Sequence, residues 1–258
     1  MICALASVMT SKGRFQRINP PSNLSVLIMH TAKGVGLTLL MCTSLLITAP
    51  RADDIVGGAM QTAPHSAIVR LQIPLQRYDG GQRHHVTEHC SGTLVDPATG
   101  MILTAWHCFD GYMDLTQPPK AFIKGLWHEV RLAAHGGAIN NDWAIATIIN
   151  PTRIDTPAMQ YALKELSLGL NVTMVGYQRM GSKNNSEWLQ ATTSCKITSH
   201  HDDWIETDCR LHKGASGGAV IGIHQGKPKL IGIISAKSSE GGVWFVPLTR
   251  LKYQLSPP

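Results

Sequence analysis

The 258-residue chain holds no apolar run long enough to cross a bilayer easily. The longest uncharged apolar stretch is 16 residues, "GVGLTLLMCTSLLITA" at 34–49, against the roughly 20 a membrane helix needs. It lacks any segment of 12 or more residues with a sustained helical period, which argues against a helical or alternating α/β fold. It has no CxxC pair among its 6 cysteines and 12 histidines, so the pattern of a structural zinc site is missing. Its basic residues form no run and no aromatic side chains are interleaved with them, which leaves out the footprint of nucleic-acid binding. Repeats and low-complexity tracts are missing as well.

What is there begins with a leader. Lys33, the apolar run and a small residue, Ala52, form the pattern of a signal peptide that ends an N-terminal extension over residues 1–52, with Met29 an alternative start and an uncleaved anchor the rival reading. The formal charge of +6 rests on 23 basic and 17 acidic residues. Lys12, Arg14, Arg17, Lys33 and Arg51 precede residue 53 and no acid does, so the mature part has 18 basic residues against 17. A charge near +1 removes the remaining electrostatic case for a nucleic-acid partner. The expected location is secreted or periplasmic, with no stable membrane association after cleavage.

Cys3 and Cys42 leave with the leader, and Cys90, Cys108, Cys195 and Cys209 remain. Four cysteines in an exported chain allow two disulfides in three connectivities. The spacing favours 90 with 108 and 195 with 209, each closing a short loop worth about 3 kcal/mol in the chain-entropy model. "HHDD" (200–203) and the scattered His84, His85 and His89 read as solvated or packed. Neighbouring residues on a strand face opposite ways and cannot easily share one ion. No metal and no cofactor is expected. Asn171-Val-Thr and Asn184-Asn-Ser fit the glycosylation pattern, which has meaning only in a eukaryotic secretory pathway.

From residue 55 onward, short β-branched runs alternate with Gly, Pro, Asn and Asp. Candidate strands are 67–73, 90–95, 101–105, 128–134 and 143–149, then 171–177, 188–198, 218–223, 229–236 and 243–248. Many short strands with turn residues between them predict an all-β barrel or sandwich. "NPTRIDTPAMQ" (150–160) has two prolines and no period and reads as a crossing between two β units. "LTRLKYQL" near the end reads as a short helix.

Three motifs carry chemistry. "LTAWHC" (103–108) presents His107 at a strand end, "NNDWAIATI" (140–148) places Asp142 before an apolar strand, and "GASGGAV" (214–220) sets Ser216 among glycines. Nucleophilic hydrolysis needs a nucleophile, a base and a carboxylate that holds the base in one tautomer. Flanking glycines let backbone N–H groups turn toward a developing oxyanion. Singly, each has a bland reading: a packed histidine, a strand cap, a glycine-rich turn. Together and in this order they are far more specific.

With "IVGG" (55–58), "CSGTLVDPATGMILTAWHC" (90–108), "DWAIA" (142–146) and "IIS" before Ala236, the chain resembles the trypsin/chymotrypsin-like serine endopeptidases, closer to bacterial secreted, glutamyl-endopeptidase-like members. The resemblance implies two six-stranded antiparallel β-barrels with the site between them, in domains 53–155 and 156–258. It implies His107 as general base, Asp142 as its orienting carboxylate, Ser216 as nucleophile, and the Gly214 and Ser216 amides as oxyanion hole. It matches Cys90–Cys108 to the family disulfide beside the histidine, and Ser235 to the strand that pairs with substrate backbone. The expected partners are protein or peptide substrates, bound by a monomer.

The departures are instructive. His212 stands where digestive members have a cysteine, and Ala215 where trypsin-type members have the aspartate that receives the freed N-terminal ammonium. Asp53 and Asp54 precede Ile55, so signal cleavage after Ala52 leaves no free isoleucine. A buried ammonium without a partner costs several kcal/mol, so the expectation is an enzyme active without a zymogen clip, with Asp208 as the alternative acceptor. Arg210 falls near the floor of the primary pocket and Lys237 on its rim. Neither place has an acid, so cleavage after Lys or Arg is not expected. An inward cation favours an acidic residue there; two cations reaching water leave an apolar pocket. Two rival readings are a binding module on the same fold, and an esterase built on the G-x-S-x-G match. The esterase fails for want of helices and of an acid and then a histidine after Ser216.

Overall fold

The computed structural model describes residues 63–114, 116–151, 154–182 and 185–255. The expected leader, "IVGG" and Asn184 lie outside them. The first half contains β1 (Ile68–Asp79), β2 (Gln82–Asp96), β3 (Met101–Thr104), β4 (Tyr112–Met113), β5 (Lys120–Ile123), β6 (Leu126–His135) and β7 (Ala144–Ile148). They form one antiparallel sheet in the order β2-β3-β7-β6-β5-β1-β4. Because β1 also pairs with β2, from Ile68 opposite Thr93 to Asp79 opposite Gln82, six of the strands close into a ring. That hairpin turns on Gly80 and Gly81, at φ +55° and +80°. A two-residue loop with both φ positive matches the right-handed twist of the strands it joins, and glycine adopts it without strain.

The second half contains β8 (Asn171–Ser182), β9 (Asn185–His200), β10 (Ile205–Thr207), β11 (Ala219–His224), β12 (Lys227–Lys237) and β13 (Val243–Pro247). They close a barrel in the order β10-β13-β12-β11-β8-β9. Between the two halves the chain crosses irregularly: the Met159 amide donates to the Leu94 carbonyl and Tyr161 bridges to Leu230. "LTRLKYQL" is helical, a 3-10 turn at Leu248–Leu251 followed by Lys252–Leu255.

Three apolar clusters explain why several strand sequences barely alternate. One fills the first barrel, around Leu71, Ile73, Leu94 and Ile102. Another fills the second, around Met174, Ile197, Ile231 and Phe245. The third lies between the barrels and takes Leu103, Ile145, Val175, Ile221 and Ile233. Strands β3 and β7 therefore bury both faces, with Ile102 turned inward and Leu103 outward to the neighbouring barrel. Three strands escaped the sequence reading: β4, β5 and β10, of 2, 4 and 3 residues. Each is too short to show a period of two. Strands β8 and β9 also extend beyond the expected 171–177 and 188–198, because their polar ends pair as a hairpin without needing an apolar face.

Candidate active site

His107 sits in a 3-10 turn, Trp106–Phe109, directly after β3. Its neighbour Cys108 is bonded to Cys90 on β2, which ties this turn to the barrel wall. The second pairing is Cys195–Cys209, so both bonds join the partners that local spacing favours. Cys90, Cys108 and His107 lie close enough for a shared ion, but the two sulfurs are spent on each other and offer no thiolate.

Asp142 is fully buried just ahead of β7. Its carboxylate accepts from the His107 amide at 2.8 Å through Oδ1, and Oδ2 lies 2.7 Å from His107 Nδ1. A carboxylate only accepts, so this contact keeps the proton on Nδ1 and leaves Nε2 as the free lone pair. Oδ2 also accepts from Ser235 Oγ at 2.5 Å. A buried charge is tolerable when each lone pair is used in this way. The loop before it is stitched by Asn141, whose amide group accepts from Trp143 Nε1 at 2.8 Å and donates to the Gly136 carbonyl at 3.3 Å. Nothing in "NND" announces that role.

Ser216 lies in a pair of consecutive turns ahead of β11. The Ala215 amide donates to the His212 carbonyl and the Gly218 amide to the Ala215 carbonyl. The third residues of these turns are Gly214 and Gly217, at φ +100° and +81°, the conformation a type II turn demands at that place. Close approach forbids a side chain at either. A Cβ on Gly214 would lie 2.3 Å from the Trp188 ring and 2.8 Å from the Tyr177 carbonyl, and one on Gly217 would lie 2.3 Å from the Ser91 carbonyl.

Every carbonyl from His212 to Ser216 has a donor. Besides the two turn bonds, Arg179 N–H reaches Lys213, Ser91 Oγ reaches Gly214 at 2.8 Å, and Ser91 N–H reaches Ser216 at 2.7 Å. The His212 amide is held by the buried Gln178 side chain at 2.8 Å. A trans peptide sends its N–H opposite its C=O. Pinning the Lys213 and Ala215 carbonyls therefore aims the Gly214 and Ser216 N–H groups the other way, and among the described residues neither has an acceptor.

Ser235 on β12 links the two halves. Its hydroxyl serves Asp142, while its carbonyl accepts from Ser216 Oγ at 3.3 Å. Ser216 and His107 share no direct hydrogen bond among the described residues; the His107 Nε2 lies 4.0 Å from Cys108 Sγ. The ladder between β12 and β13 shifts register between Ile234 and Lys237, so a bulge falls at Ser235 and Ala236. Arg210 and Lys237 are both exposed, and neither side chain is sealed at a pocket floor. Ala215 is buried among Cys209, Leu211 and Val220. Asp208 is exposed and accepts from the Lys196 amide at 2.7 Å.

Around Gly214 stand residues the sequence gave no reason to pick. Trp188 stacks on His89 at 4.7 Å, and burial pushes the His89 imidazole below its ordinary range, with help from the Arg70 and Arg179 charges. Burial also raises the Tyr177 phenol.

No curated protein matches the chain in sequence. Among solved structures it resembles the Rv3671c protease from M. tuberculosis in its active form, with TM-score 0.58 and 14% identity over 74% of this chain and 80% of that one. The inactive form of the Rv3671c protease gives TM-score 0.53 and 15% identity over 74% and 88%. At such identity the likeness is one of fold. The family model of the trypsin-like peptidase domain matches residues 90–233, more than half of the chain and the span that holds both glycine turns and the His107 turn. The chain belongs to that family and is a serine endopeptidase of chymotrypsin-like, two-barrel fold.

Proposed function

We propose that Ser216 is the nucleophile, His107 the general base, Asp142 the group that fixes the base's tautomer, and the Gly214 and Ser216 amides the oxyanion donors. His107 Nε2 takes the Ser216 proton as Oγ attacks the scissile carbonyl. The imidazolium returns that proton to the leaving amine, an acyl-enzyme remains, and water reverses the sequence to release the acid. Ser216 must turn from the Ser235 carbonyl toward His107 for the first step; such contacts often tighten only when substrate is bound. The observation that carries the reading is the pair of unbonded amides beside Ser216, backed by carbonyls that all have donors.

The enzyme works without a zymogen clip. An inserted ammonium orders the turn where a carboxylate can meet it, but here Ala215 packs in an apolar cluster and Asp208 faces water on the Lys196 amide. Hydrogen bonds from Gln178, Arg179 and Ser91 hold the turn instead. The two disulfides suit a compartment outside the cytoplasm, and the exported enzyme comprises barrels 53–155 and 156–258. The backbone at Ser235, on the strand that the resemblance matches to substrate pairing, holds the acyl half of a substrate. With Arg210 and Lys237 both in water, the primary pocket is apolar and has no acid to pair a Lys or Arg, and a peptide library should show no cleavage after them. A fluorophosphonate probe tests the central assignment. Labelling at Ser216 that disappears in Ser216→Ala is expected. No labelling of the folded chain would instead favour a binding module on this fold.

A further inference from the structure

The two disulfides differ in what surrounds them. Cys90 and Cys108 are both buried in the core of the first barrel, 3% and 0% exposed. Cys209 is buried as well, but its partner Cys195 is only half-buried. Cys195 lines an open groove of about 610 Å³ on the second barrel, beside Ser194, Lys196 and Asp208. Of the four bonded cysteines it alone keeps surface toward water. Thiol–disulfide exchange depends on access to a sulfur, so this is the bond a thiolate reaches first.

The buried end of that bond leads into the oxyanion turn. Cys209 packs in one apolar cluster with Leu211 and Ala215, and four residues separate it from Gly214. Residues 209–212 belong to no strand, and among the described residues the Arg210 and Leu211 amides have no hydrogen-bond acceptor. Between the Cys209 amide on Thr207 Oγ1 and the His212 amide on Gln178 Oε1, packing and the disulfide hold the chain.

We infer that Cys195–Cys209 is a thiol–disulfide exchange site for a dithiol reductant, and that opening it loosens the chain before Gly214 and turns activity down. A thiolate of the reductant attacks Cys195 Sγ, the Cys195–Cys209 bond breaks, and Cys209 leaves as a thiolate that takes up a proton. The reductant's second thiolate then attacks the mixed disulfide and releases Cys195, which also takes up a proton. The protein gains two electrons and two protons while the dithiol becomes a disulfide, and a small-molecule disulfide reverses the sequence. The fold survives, because the β8–β9 ladder and the two hydrogen bonds between Lys196 and Asp208 do not depend on the bond. The inference rests on the catalytic reading above, since it acts through the Gly214 amide.

The test titrates the full mature chain with dithiothreitol, alkylates and maps the freed thiols, and measures kcat/KM and circular dichroism on the same samples. Thiols should appear first at Cys195 and Cys209, with Cys90–Cys108 intact. At that stage kcat/KM should fall by about tenfold, less than the loss of a whole oxyanion donor costs. The spectrum should not change, and activity should return when oxidised glutathione closes the bond. The double variant Cys195→Ser, Cys209→Ser should stay at the lowered rate and ignore dithiothreitol; the wild-type titration decides the matter should that variant fail to fold. Opening of Cys90–Cys108 first overturns the exchange site. An open Cys195–Cys209 with kcat/KM unchanged, or a loss of activity that comes only with loss of the fold, overturns the switch. If the oxidised protein takes the fluorophosphonate label in those cases, the catalytic reading stands and only this inference fails. An oxidised chain that neither labels nor cleaves any peptide overturns both.

Discussion

The two halves of the active site are ordered by different chemistry. On the first barrel a buried carboxylate, Asp142, holds His107 through two contacts, and a disulfide ties the same turn to β2. On the second barrel no charge is involved. The turn around Ser216 is held by neutral hydrogen bonds, two of them from Ser91 on the other barrel, and by the Trp188 ring against Gly214. In the proposed mechanism the first half works through one buried side chain, Asp142, which meets His107 at both its amide and Nδ1. The second depends on backbone geometry, and Ala215 contributes apolar packing where a charge would otherwise receive an ammonium.

The largest effects should come from breaking the charged half or the nucleophile. Ser216→Ala and His107→Ala should each remove nearly all peptide hydrolysis, on the order of a million-fold in kcat, because the two act as one unit. Asp142→Asn should cost about ten-thousand-fold by permitting the wrong tautomer. Residual activity of more than a few per cent in any of the three would refute the assignment. All three variants should keep the two-barrel fold by circular dichroism.

The neutral half should yield by smaller steps. Ser91→Ala removes the donor to the Gly214 carbonyl and the acceptor of the Tyr177 amide. Leaving two buried groups unpaired should cost about 1–3 kcal/mol of stability. Turnover should fall by about ten- to a hundred-fold, as expected when an oxyanion donor is lost or misaimed, with KM little changed. A variant that loses stability but keeps kcat would show that Ser91 only braces the barrels.

The residues proposed here for the chemistry stand out in the sequence because their types are rare in combination. His after a strand, Asp before one and Ser among glycines have few joint explanations, and the local cysteine pairing followed from loop length. The bracing residues were not legible. Ser91, Gln178 and Arg179 act through partners more than 30 residues away in the chain, and a serine or glutamine in a strand has no local signature. The resemblance matches the Ser235 strand to substrate backbone, and nothing in the sequence points to the bond from its hydroxyl to Asp142. The strand count fell short for a similar reason, since β10 is defined by neighbours at Ser199 and Trp244 and hardly by its own three residues.

The smallest effect separates the halves by pH. Burial, then Arg70, lowers the His89 pKa from the ordinary 6.5, so the unfolded chain takes up that proton first as pH falls. This contribution to stability is complete above pH 6.5 and is lost as pH drops through the window below it. The Tm of the wild type minus that of His89→Gln should therefore fall from pH 7 to pH 5. A constant difference would remove His89 from the set of groups that feel the turn's surroundings.

The central claim is that the turn carrying Ser216 is ordered by its own hydrogen bonds and needs no inserted N-terminus. The direct measurement compares kcat/KM on one peptide for two purified forms, one beginning at Asp53 and the other at Ile55. Equal rates within a factor of about two, a difference of less than 0.5 kcal/mol in activation free energy, are the predicted result. An inert Asp53 form that gains activity on trimming to Ile55 would contradict it.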